Sequence, residues 1–121
     1  MPKKLGIDDI ERDIINITTR FPFIQDTRTV LKTTHTIKIR LDITGECFIQ
    51  IYQNIQKDIT SYVAVLGHER IYGRDCDGGI WHRHPEKDPS GHDFSSEGVR
   101  DVSLDEFLFE TQEVLLKKGI L

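Results

Sequence analysis

The residues best equipped for chemistry lie in one stretch, Arg74 to His92, reading RDCDGGIWHRHPEKDPSGH. It holds three of the five histidines and the only tryptophan. His82 and His84 flank Arg83. On an extended segment, residues two apart point to the same side, so both imidazoles can face one ligand. With Asp75, Asp77 or His92 completing the set, the pattern can hold a divalent metal, and His82, His84 and His92 are the candidate ligands. The same side chains can instead do acid and base work. Two imidazoles flanking a phosphodiester act as base and acid near neutral pH, with Arg74 or Arg83 steadying the phosphate charge. In either case Asp75 would orient one imidazole by accepting its ring N–H, and His92 would close the set. A third reading is a polar loop held by hydrogen bonds and without a ligand. Asp75, Asp77, Glu86, Asp88 and Asp93 would repel a polyanion unless they are paired or turned away.

A segment this polar, and this rich in Gly and Pro, is expected to be a surface loop carried by its neighbours. Trp81 would anchor the loop in the core, with stacking on a base as the alternative. Gly78 and Gly79 after Asp77 predict a hairpin turn rather than a phosphate cradle. Of the remaining histidines, His35 is expected to be partly buried and hydrogen-bonded on a strand, and His68 is a secondary candidate for the site.

The elements that must position these groups can be read from periodicity. Ile7, Ile10, Ile14 and Ile17 share one face of a helix over residues 7 to 19, with Asp8 and Glu11 as its capping box. Pro22 ends it, and Phe21 and Phe23 tuck beneath the following sheet. From Thr29 to Ile43 the pattern changes to period two, predicting one long strand with Leu31, His35, Ile37, Ile39 and Leu41 on its inner face. Thr44 to Glu46 turn the chain into a strand over Cys47 to Gln53. Ile59 to Leu66 and a shorter Arg70 to Arg74 follow as the third and fourth strands, separated by Gly67. Short links favour antiparallel pairing. Ser103 and Glu106 cap a C-terminal helix whose inner face is Leu104, Phe107, Leu108, Thr111, Val114 and Leu115, with Gly119 as its stop. The expected fold class is α+β: an antiparallel meander of at least four strands with N-terminal and C-terminal helices packed on one face.

At 121 residues the chain suits one domain, 1–121, with a single core. The net charge of -4 is uneven. Residues 1 to 40 carry eight Lys/Arg against five Asp/Glu, and residues 41 to 121 carry eight against fifteen. That split suits a protein partner better than a nucleic-acid footprint. Cys47 and Cys76 form no CxxC pair and are expected to be reduced. No apolar run approaches the roughly 20 residues that span a bilayer, so no membrane partner and a cytoplasmic location are expected. Phe48, Tyr52, Tyr62 and Leu66 would lie on the sheet's second face, which predicts at least a homodimer.

The order of parts resembles the TumE-like family of prokaryotic toxin proteins, over roughly residues 30 to 116. Arg74, Asp75, His82, His84 and His92 carry the likeness. The Asp75–His82 gap is longer than the family's pattern, and Asp93 and Phe94 stand where the family tends to place another histidine. The resemblance implies a cytoplasmic prokaryotic toxin of a toxin–antitoxin pair, acting on RNA through the histidine segment, with an antitoxin as protein partner. The alternative is a non-catalytic binding or interaction module, metal-binding through His82, His84 and His92.

Overall fold

Alternation organises the protein, because β-branched and aromatic residues at every second position give each strand one apolar face. In the structure, a computed structural model that describes residues 5–121, this produces one six-stranded antiparallel sheet in the order β1 to β6. The strands are β1 (Asp26–Lys32), β2 (Thr36–Asp42), β3 (Cys47–Asn54), β4 (Ile59–Leu66), β5 (Glu69–Asp77) and β6 (Ile80–His84). Helices α1 (Ile7–Thr18) and α2 (Leu104–Lys117) precede and follow the sheet. Their apolar faces share one core with its inner face. The expected α+β meander with terminal helices on one face is the fold observed.

The inner face follows from register. Ile39, Ile51, Tyr62, Arg74 and Arg83 lie opposite one another across β2 to β6, as do Leu41, Ile49, Ala64 and Tyr72 across β2 to β5. Every residue expected on the inner stripe of α2 is buried. Phe107, fully excluded from solvent, stacks on Tyr72 (centroids 5.8 Å) and Tyr62 (5.3 Å). Ser103 caps α2 as predicted: its hydroxyl accepts from the Glu106 amide at 3.3 Å. Gly119, with φ +73°, closes the helix.

Several expectations are corrected. The long first strand is two strands, because the Thr33 side-chain oxygen accepts from the amides of His35 and Thr36 (3.3 and 3.0 Å) and turns the chain. His35 is therefore exposed in a turn, and Leu31, 43% exposed on β1, is not an inner-face residue. The cap of α1 is Gly6 with Asp9, whose carboxylate accepts from the Gly6 amide at 3.2 Å. Asp8 and Glu11 bind Lys32 instead. The fourth strand, β5, is the longest and runs on through Asp77, where Gly78 and Gly79 (φ +61° and +87°) form the two-residue turn into β6. Residues 74 to 84 are thus mostly hairpin rather than loop. Tyr62 and Leu66 pack into the core, and Arg40 covers Phe48 at 3.7 Å, so the second face is less apolar than expected. Cys47 and Cys76 are buried free thiols, and Trp81 packs against the core as expected. Among the described residues no helix is long and apolar enough to cross a membrane.

Phe107→Ala should lower stability by about 3–5 kcal/mol in chemical denaturation, as large-to-small changes in packed cores do. A smaller loss would mean that the core closes over the cavity. Burial pushes the Tyr62 and Tyr72 phenols up to about 12. Because the folded values lie above the unfolded one near 10, the stability they carry is present below about pH 10 and is lost as pH rises towards 12. Tyr72→Phe should flatten this alkaline limb in pH-dependent melting.

Candidate metal centre

Because side chains alternate, the β5–β6 hairpin sends its charged groups to opposite faces of the sheet. Arg74 and Arg83 point inward, and Asp75, His82 and His84 point outward, where no helix covers them. Arg74 is fully buried. Its Nε and second terminal nitrogen donate to Glu110 Oε1 (3.0 Å) and Oε2 (2.7 Å), and its other terminal nitrogen donates to the Glu97 carbonyl (2.8 Å). Desolvation by burial is the largest influence and opposes its charge, but the hydrogen bonds and charges of Glu110 and Tyr72 together outweigh it and the guanidinium pKa is raised. Arg83 is taken by Asp93 (2.9 and 2.6 Å). Neither arginine meets the histidines, so the expected grouping of Arg74 with His82, His84 and His92 is not what the structure brings together.

The three histidines do converge. Their ring centroids lie 4.9–5.0 Å apart, and one ligating nitrogen from each lies within 4.8 Å of the others. His82 and His84 arrive from one strand. His92 arrives from the return segment, which makes successive turns at Pro85–Asp88 and Asp88–Gly91 and then rejoins β6 through backbone hydrogen bonds between Arg83 and Asp93 (2.8 and 3.2 Å). Gly73 lies beneath His84; a Cβ there would sit 3.6 Å from the His84 ring and 3.2 Å from the Tyr62 carbonyl oxygen. Phe94, exposed, lies against His82 at 5.4 Å.

The electrostatics of the cluster are unusual. His84 is 3% exposed, and its Nδ1 lies 3.1 Å from the Pro89 carbonyl oxygen. A carbonyl only accepts, so Nδ1 carries the proton and Nε2 presents its lone pair to the cluster. That Nε2 lies 3.0 Å from Asp75 Oδ2 and 3.1 Å from His82 Nε2, while His82 Nε2 is itself 3.5 Å from the same carboxylate oxygen. Asp75 Oδ1 accepts from the Ser61 hydroxyl at 2.7 Å. His84 Nε2, His82 Nε2 and Asp75 Oδ2 therefore face one another around one point, which either an N–H of His82 or a metal ion can fill. Burial lowers the His82 pKa, with the charges of His84, His92 and Arg70 adding to the effect and the Asp75 carboxylate opposing it. The neutral, ligand-competent form of His82 is favoured.

The Pro89 carbonyl thus orients His84 through Nδ1, and Asp75 Oδ2 lies within hydrogen-bond reach of its Nε2 on the side of the cluster. Sequence reasoning missed Ser61 and Pro89. Ser61 lies opposite Asp75 on the adjacent strand, so the register was the signal that could have found it. Asp77 is at the hairpin turn and His68 at the β4–β5 turn, both outside the cluster. In a long-range 15N–1H spectrum, His84 should show the tautomer protonated at Nδ1. A ring bare at Nδ1 would mean that the Pro89 contact is no hydrogen bond. No family model, no curated protein and no solved structure matches the chain, so the chemistry of this cluster is argued from its own geometry.

Proposed function

We propose that the protein binds a divalent transition-metal ion through His82, His84 and His92, with Asp75 Oδ2 as a fourth donor. The observation that carries this reading is the convergence of the His82 and His84 Nε2 atoms and Asp75 Oδ2, at 3.0–3.5 Å, with the His84 lone pair directed inward. Metal–nitrogen distances of about 2.0–2.1 Å in a tetrahedral site place neighbouring ligands roughly 3.3 Å apart, so His82, His84 and Asp75 are already near that spacing, and His92, within 4.8 Å of the other two imidazoles, would close on them. Imidazole with one carboxylate suits zinc, iron, nickel or copper rather than calcium or magnesium. The hydrogen bonds from His84 to Pro89 and from Ser61 to Asp75 are the outer contacts that hold ligands in place in such sites.

Acid–base catalysis on RNA by His82 and His84 is less well supported. That chemistry asks the two imidazoles to face a substrate from two sides. Here their Nε2 atoms face each other, which suits one shared ligand.

Titration calorimetry with Zn2+ or Co2+ should give one ion per chain, with heat that disappears in His82→Ala and His84→Ala. Ser61→Ala should weaken binding by about 10- to 100-fold while leaving the fold intact. At metal concentrations near 100 times Kd, the bound ion should add about 2.7 kcal/mol of stability, and a chelator should remove it. A flat isotherm together with an unchanged melting temperature would show that the cluster is held by a proton instead.

A further inference from the structure

Beside the histidine cluster is a groove of about 650 Å³, walled by Glu69, Arg70, His84, Pro89, Ser90 and His92. Arg70 is exposed there and differs from every other arginine among the described residues. Arg12, Arg20, Arg28, Arg40, Arg74, Arg83 and Arg100 each lie within ion-pair distance of a carboxylate, and Arg70 does not. Glu69 shares the groove wall without forming an ion pair with Arg70, whose charge therefore remains available. Asp93, next in the chain to His92 of the groove wall, is already neutralised by Arg83.

A break in the strand register places Arg70 on this face. Ala64 pairs with Tyr72 and Val65 with Arg70, so Ile71 is an extra residue in β5, and Ile71 and Tyr72 are both buried. With strict alternation Arg70 would share the inner face of Tyr72 and Arg74. The bulge turns it to the outer face with Asp75, a re-aiming that bulges commonly perform beside functional sites.

We infer that the groove binds a phosphate group, one oxygen joining the metal held by His82, His84, His92 and Asp75 as a fifth ligand and the others in the guanidinium fork of Arg70. This rests on the metal reading above. Phosphate is favoured over carboxylate because it can give one oxygen to the metal and still offer two to a planar fork, whereas a carboxylate keeps only one. The group is presented as free phosphate or as a monoester, because a diester has only two non-ester oxygens and, with one on the metal, leaves a single one for the fork.

The test titrates inorganic phosphate into the full chain loaded with one equivalent of Zn2+ or Co2+. Saturable binding is expected, weakened at least about tenfold in Arg70→Ala, with the metal affinity and melting temperature of that variant unchanged because Arg70 is exposed. Glu69→Gln should bind phosphate as well as the parent or better. Phenyl phosphate should bind as inorganic phosphate does, and dimethyl phosphate at least about tenfold more weakly; dimethyl phosphate binding as tightly as phenyl phosphate overturns the inference. Equal phosphate binding by Arg70→Ala overturns it, as does acetate binding as tightly as phosphate. A metal-loaded protein that ignores phosphate overturns this inference and leaves the metal reading intact. A chain that takes up no metal overturns both.

Discussion

The interaction on which the rest of the structure depends is the pair of Arg74 and Glu110. A guanidinium with no exposure to water cannot remain unpaired, and removing one partner of such a buried pair typically costs about 3–5 kcal/mol. Glu110 on α2 supplies both carboxylate oxygens, and Tyr72 and Arg100 also donate to it, at 2.8 and 3.2 Å. The pair therefore fixes the helix, two strand residues and the segment preceding the helix to one point on the sheet. Alternation then determines the orientation of the site. With Arg74 committed inward, Asp75 must face outward, and the cross-strand partners of Asp75, Ser61 and His82, face outward with it.

The same pairing constrains the loop that carries His92. Arg83 holds Asp93 and Arg74 holds the Glu97 carbonyl, both from the inner face. The chain between those anchors has little freedom, and His92 precedes the first of them by one residue. One hairpin thus has two kinds of charged group: arginines that tie the return segment down on the inner face, and a carboxylate and two imidazoles that gather on the outer face. Basic residues in a histidine-rich stretch need not be part of its site.

Much of this was legible in the sequence. The period-two run through Ile37, Ile39 and Leu41 gave the inner face, the stripe from Leu104 to Leu115 gave α2, and Gly78–Gly79 gave the turn. The proximity of His82 and His84 followed from their spacing, because that spacing matches the strand period. What was not legible depended on contacts between distant segments. Thr33, Thr34 and Thr36 fit a strand pattern, and only the hydroxyl-capped turn at Thr33 shows that the strand breaks. The inward direction of Arg74 depends on a carboxylate 36 residues away. The outward direction of Arg70 depends on the bulge at Ile71, which no alternation rule anticipates.

The outer cluster and the inner ion pair also satisfy their polar atoms in different ways. On the inner face each nitrogen of the Arg74 side chain is matched to an acceptor from another part of the chain. On the outer face the acceptors exceed the donors: Pro89 fixes the His84 proton on Nδ1, Ser61 satisfies only one oxygen of Asp75, and the remaining lone pairs converge. A buried group of acceptors is stable only with a donor or a cation among them. A His82 ring with its proton on Nε2 would meet that need from within the chain. A divalent ion would meet it with all the ligands neutral or anionic, and would also bind the loop at His92 to the strand at His82 and His84. On that reading the polar groups of the cluster are completed from outside the chain.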